Sequence, residues 1–356
     1  MIFLGFAAGL PFLLVFSTLS AWLRDVGVAR TTIGFFSWVG ITYSIKVFWA
    51  PVIDRLPLPW LTALLGKRRS WMLLAQCTIA LGLGGMALTD PLSDLRLLAV
   101  FALLVAFGSA TQDITIDAYR IEAVDKRLQG AMAATYVLGY RIALLVAGAG
   151  AFYIAEGYSW SVAYLAMALL MGIGILTTLV ISEPEHARDA RTLALEARLE
   201  QAVGVQDKQS LAARLAAWFS DAVVSPFVEF FQRNGGIAIL ILLLVGCYKL
   251  SDITMGVMAN PFYLDLGFSK TEIANISKIF GFFMTIAGAA LGGIMVVRYG
   301  LLRPLLAGAV LIASTNLLFV WLAVSDPQLA TLAIVISADN LSGGFAASAF
   351  IAYLSS

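Results

Sequence analysis

Ten apolar stretches, each near twenty residues, constrain this chain more than any motif in it. They run over 2–23, 32–52, 70–89, 95–117, 130–154, 159–182, 236–260, 271–297, 303–324 and 328–354. As a helix, each is long enough to cross ~30 Å of hydrocarbon. Within a bilayer a spanning segment must pair its own backbone polar groups, which favours helices over irregular chain. Composition agrees: of 356 residues 60% are hydrophobic and 13% charged, and mean hydropathy is +0.89. A soluble domain of this length needs a larger polar share to cover its surface. The sequence therefore predicts an all-α polytopic membrane protein. The apolar start at Met1 has no basic region before it and continues to Trp22, so it reads as a span and not a signal peptide.

Loop charges set the expected orientation. Odd-to-even loops carry four basic residues (Arg24, Arg30, Arg96 and Lys270), whereas even-to-odd loops and the middle segment carry fifteen. The positive-inside rule places the second set, and the N-terminus, in the cytoplasm. The net charge of +1 with no basic tract gives no sign of nucleic-acid binding. Cys77 and Cys247 lie inside apolar runs, where ordinary packing is the expected role. His186 is the only histidine and sits outside the spans, which weighs against haem, pigment or zinc ligation in the membrane. No cofactor and no metal site is expected.

Three regions follow: spans over 1–182, a polar segment over 183–235, and spans over 236–356. The polar segment opens rich in Ala, Arg and Glu. From Leu211 to Phe231 it carries Trp218, Phe219, Phe227 and Phe230 at helical spacing, which predicts an amphipathic helix on the inner membrane surface or a plain tether. An internal repeat relates the flanking regions. Asp25-Val-Gly-Val-Ala-Arg30 matches Asp265-Leu-Gly-Phe-Ser-Lys270 at an offset of 240, after the first span of each half. Repeated units of one orientation are characteristic of parallel-repeat transporters. Six spans precede the polar segment and four follow it, so the chain reads as a fragment short of at least two spans.

Seven ionisable residues lie well inside the apolar runs: Lys46, Asp113, Arg141, Lys249, Asp252, Lys278 and Asp339. Charge at that depth is costly unless paired or facing a water-filled path, so each is a functional candidate. Lys249 and Asp252, three apart, share a helix face, either as a self-neutralising pair or as a proton or substrate site. Asp113 and Asp117 share another, with Asp117 placed to pair with Arg120. Arg141 needs a carboxylate, from Asp113 or from an anionic ligand. For Lys278, snorkelling to the outer interface is the alternative to a functional role. Gly343 and Gly344, beyond Asp339 and Asn340, suit close helix packing.

The loop Asp54-Arg55…Gly66-Lys67-Arg68-Arg69 resembles the cytoplasmic signature of the major facilitator superfamily, with ten residues separating Arg55 from Gly66. In that family such residues latch helix ends across the two halves, so all five charged positions become gating candidates. Further stretches resemble the AmpG family of muropeptide permeases within that superfamily. They are Gly5-Phe-Ala-Ala-Gly-Leu-Pro11, Lys46…Trp49-Ala50-Pro51, Gln112-Asp113-Ile114…Asp117-Ala118, Val137-Leu-Gly-Tyr-Arg141 and Tyr248-Lys-Leu-Ser-Asp252. Asp339 stands where that family commonly has Glu.

The resemblance implies two six-helix bundles, the second incomplete here. It implies a monomer of the bacterial inner membrane importing N-acetylglucosaminyl-1,6-anhydro-N-acetylmuramyl peptides, driven by inward proton flow, for cell-wall recycling and β-lactamase induction. Asp252, Asp113 and Asp339 are the proton-coupling candidates. Arg141, Lys249, Lys46, Gln112, Tyr140 and Asn340 are the substrate-binding candidates. A carrier of another anion such as acetyl-CoA, or a pigment-assembly membrane protein, are the alternatives. An embedded transferase or hydrolase would need a nucleophile–base pair or metal cluster that the residues do not supply.

Overall fold

The computed structural model describes residues 1–124, 128–184, 228, 231–233 and 235–354, excluding the side chains at 51, 55, 237, 241, 244–255, 351 and 354. The segment expected to be amphipathic, over 211–231, lies almost wholly outside the described residues, as does His186.

Among the described residues the secondary structure is helical, without strands. The long helical runs are α1 (Ile2–Asp25), α2 (30–55), α3 (Lys67–Leu88), α4 (Leu95–Glu122), α5 (Gln129–Gly157), α6 (Trp160–Val180), α7 (Ile237–Asp265), α8 (Lys270–Tyr299), α9 (Leu302–Val324) and α10 (Leu329–Leu354). Eight of them are long and apolar enough to cross a membrane. The expected ten spans correspond to these ten runs. Leu81, Leu88, Val180 and Val297 are between 71% and 90% exposed. An apolar surface of that kind suits lipid and would be a liability in water.

Local chemistry explains the irregularities. Pro11, inside α1, has no N–H to give the carbonyl of Ala7, four residues back. The side chain of Gln112 on α4 donates to that carbonyl instead, at 2.9 Å, and is fully buried doing so. α2 is interrupted by tighter 3₁₀ turns at Ser37–Gly40 and Ile45–Phe48. α5 and α8 each contain a π-helical stretch, Val146–Gly150 and Ala274–Phe280. These wider turns pack against each other. Thr18 supplies a donor to the Ala147 carbonyl within the first of them, at 3.0 Å.

Small residues let helices meet backbone to backbone. A Cβ at Gly139 of α5 would overlap the Ile2 carbonyl of α1, and one at Gly344 of α10 would overlap the Thr285 carbonyl of α8. The expectation of close packing is met at Gly344, whereas at Gly343 a Cβ would enter open space.

The internal repeat is also a structural one. Gly27 and Gly267 adopt φ of +92° and +93°, ending α1 and α7 with the same left-handed turn. In both, a six-residue backbone bond closes it, Val28 to Leu23 at 2.9 Å and Phe268 to Tyr263 at 3.2 Å.

Candidate functional site

A cavity of about 840 Å³ opens between α1 and α2 on one side and α7 to α10 on the other. Phe12 and Phe16 of α1 and Tyr43 of α2 form an aromatic wall, with ring centroids 5.1 to 5.9 Å apart. The facing wall is more polar: Asn260, Ser277, Lys278, Asn316, Asp339 and Asn340. Aromatic faces beside a few fixed polar groups are what a small-molecule site needs.

Two cavity residues are built into the frame. Asn260 is 1% exposed, and its amide nitrogen donates to the Ser17 carbonyl at 2.6 Å. Its oxygen therefore faces Lys278, whose ammonium donates to it at 2.9 Å. Asn340 accepts from Thr285 at 2.9 Å and donates to the Ile336 carbonyl at 3.0 Å, so its polar atoms tie α10 to α8 and to itself.

Lys278 departs from the sequence expectation. It lies in the π-helical stretch of α8, faces the cavity, and sits 5.6 Å from the centroid of the Phe152 ring. Snorkelling is not its role, because the local π turn and the neighbouring α5 hold the chain inward. Asn260, Ser277 and Asn316 were not anticipated either. Apolar-run reading singles out charges and passes over neutral amides and hydroxyls.

A second polar cluster lies along α2 and α4, farther from the Asp25–Asp265 end. Lys46 and Asp113 form an ion pair at 3.7 Å, while the other Asp113 oxygen is buried without a hydrogen bond. Lys46, and not Arg141, is thus the cation beside Asp113. The 3₁₀ turn of α2 brings Lys46 against α4, whereas Arg141 is exposed and makes no ion pair among the described residues. Tyr140 lies beside this cluster, its ring 6.2 Å from that of Tyr136. Gln112 does not line the cavity, since it is committed to the Ala7 carbonyl. The side chains of Lys249 and Asp252 lie outside the described residues.

At one end of the molecule Arg68, 7% exposed, holds Asp54 at 2.6 Å and Glu122 at 2.5 Å. Glu183 accepts from the backbone N–H groups of Arg68 and Arg69, capping the start of α3 with negative charge. Arg69 donates to the carbonyls of Thr178 and Leu179, and Lys67 to that of Asp54. All these partners lie between Asp54 and Glu183, and none is in α7 to α10. The expected latch across halves is therefore not made here among the described residues, and the Arg55 side chain is outside them. Asp117 pairs with Arg120 at 3.3 Å, as its spacing predicts.

The opposite end carries a latch that does cross. Asp265 accepts Arg24 and Arg30, each at 2.5 Å, and Lys270 reaches Asp25 at 3.1 Å. The two repeat copies thus exchange charges: the acid of each copy pairs with the base of the other. Trp160 also donates to Asp25, at 2.7 Å, and Glu156 lies 3.5 Å from Lys270. Tyr153 of α5 and Asn275 of α8 add a hydrogen bond across the same seam. The cavity is therefore closed toward this end.

The chain matches the Major Facilitator Superfamily over residues 1–356. It is 33% identical over 353 residues to "Putative transporter AmpG 4" of Rickettsia conorii, covering 99% of this chain and 80% of that protein. It is 35% identical over 356 residues to "Anhydromuropeptide permease" of Escherichia coli, covering 99% of this chain and 66% of the relative. Among solved structures, a D-xylose–proton symporter superposes with a TM-score of 0.65 at 13% identity, covering 98% of this chain and 80% of the other. The nucleoside transporter NupG does so with 0.66 at 15%, covering 99% and 81%. These likenesses show the fold, and the sequence relatives narrow the membership. The chain belongs to the Major Facilitator Superfamily, and within it to the AmpG group of transporters.

Proposed function

We propose that this protein is a proton-coupled importer of anhydromuropeptides in a bacterial inner membrane. The observation that carries the reading is a cavity walled by aromatic rings and fixed polar groups, sealed at one end by reciprocal ion pairs between repeat copies. Membership of the AmpG group, with a relative named for anhydromuropeptides, supplies the solute class. Loop charge supports placing the Asp25–Asp265 end at the periplasm and the Asp54–Arg68 end, with the N-terminus, in the cytoplasm. On that orientation the cavity is in an inward-facing state.

In this account residues 1–182 and 236–356 are the two moving bodies, and 183–235 joins them. Rocking about the cavity exposes it to each side in turn. Asp113 is the proton carrier best supported by geometry, having one oxygen beside Lys46 and the other buried without a hydrogen bond. Protonation of the carboxylate would release Lys46, and deprotonation would recapture it. Asp339 faces the cavity from α10 and stands as the second candidate; Asp252 stands as a third on sequence position. Arg141, Lys249 and Lys46 remain proposed anion contacts, and Tyr140 a polar neighbour of the path. Gln112 is withdrawn, because its amide completes α1.

The test is uptake of labelled anhydromuropeptide by proteoliposomes under an imposed inward pH gradient. Accumulation that collapses with an uncoupler is the expected result. Competition by acetyl-CoA, with none by unlabelled anhydromuropeptide, would contradict the solute assignment.

A further inference from the structure

We infer that Lys278, held by Asn260, is the residue that binds a carboxylate of the solute's stem peptide. This rests on the muropeptide reading above and specifies which side chain selects the charged end.

An ammonium has three donors and no acceptor. At Lys278 one donor is used by the Asn260 oxygen at 2.9 Å. No described carboxylate forms an ion pair with it. Asn260 cannot turn to offer its nitrogen, because that nitrogen is engaged by the Ser17 carbonyl in a buried bond. The lysine is therefore aimed and not merely accommodated. The Phe152 ring, 5.6 Å away, offers the cation an aromatic face while no anion is present.

The stem is held as well as the head. A Cβ at Gly148 would stand 3.5 Å from Cδ of Lys278, ordinary contact distance, so the lysine stem lies against the α5 backbone at this glycine. Gly148 belongs to the π-helical stretch of α5 that faces the one in α8. Such turns commonly mark functional positions. Among the described residues no carboxylate pairs with this cation; charge inside the membrane is costly when unpaired, and a ligand carboxylate would relieve that cost. Charge-assisted hydrogen bonds to a carboxylate are about twice as strong as neutral ones.

The experiment measures equilibrium binding of two probes to the purified protein: an anhydromuropeptide with free stem carboxylates, and the same compound with all carboxylates amidated. The wild type is expected to bind the free acid at least tenfold more tightly. Lys278→Gln should diminish that preference severalfold, leaving amidated-probe affinity within about twofold, which also reports an intact fold. Lys278→Arg should retain most of the preference. Equal weakening of both probes by Lys278→Gln, or an undiminished preference, would overturn the assignment while leaving muropeptide transport standing. Failure of the wild type to bind either probe would overturn the muropeptide reading and this inference with it.

Discussion

Replacing Asp265 with Asn removes one carboxylate from two cross-half ion pairs while keeping its size. Arg24 and Asp265 are 28% and 15% exposed, so this pair is partly shielded from water; Arg30 is 64% exposed and contributes less. Exposed pairs are worth ~0.2–1 kcal/mol each, so Asp265→Asn should cost the latched state about 0.4–2 kcal/mol. That corresponds to a shift of roughly 2- to 30-fold toward states open at the Asp25–Asp265 end. The assay is labelling of Ser277→Cys, a cavity position, by an impermeant maleimide added from that end, with Cys77 and Cys247 replaced. The labelling rate should rise by about the same factor. Exchanging charges in one pair, Asp25→Lys with Lys270→Asp, should restore slow labelling that either reversal alone loses. The partners that Trp160 and Glu156 offer at this corner temper the rescue without abolishing it. Unchanged labelling in Asp265→Asn, or an exchange no slower than its singles, would refute the latch.

Arg68→Met should lower the protein's stability in detergent by about 1–3 kcal/mol, read as a fall in melting temperature, because it removes the cation that bridges Asp54 and Glu122. Equal melting temperatures would show that this cluster does not hold α3 to α4. Asp113→Asn should reduce gradient-driven accumulation at least tenfold while preserving solute exchange at equal pH. Exchange needs the rocking motion but no net proton movement. Loss of both activities together, or of neither, would remove Asp113 from the coupling step.

The helices and the repeat were legible because both are written in local chemistry. Apolar length sets a span, and Gly27 and Gly267 each permit one specific turn. The latch was half legible: the matching Asp and basic positions stand in the repeat, but the exchange between copies depends on how two distant helix ends meet. Lys278 and Arg141 illustrate the limit from opposite sides. Their depth along the chain is readable, whereas the direction each faces is set by a π turn in one case and by the packing of α5 in the other. Gln112 carried a partial signal. Pro11 leaves the Ala7 carbonyl without its helical donor, but a donor 105 residues away is chosen by tertiary structure.

The central claim is that solute and proton move inward together through this cavity. Proteoliposomes containing a trapped pH dye, with equal pH on both sides and the membrane potential clamped at zero, test it directly. Adding anhydromuropeptide outside should acidify the lumen in step with solute entry, and Asp113→Asn should abolish that signal. Solute entry with no change in lumenal pH would contradict the account.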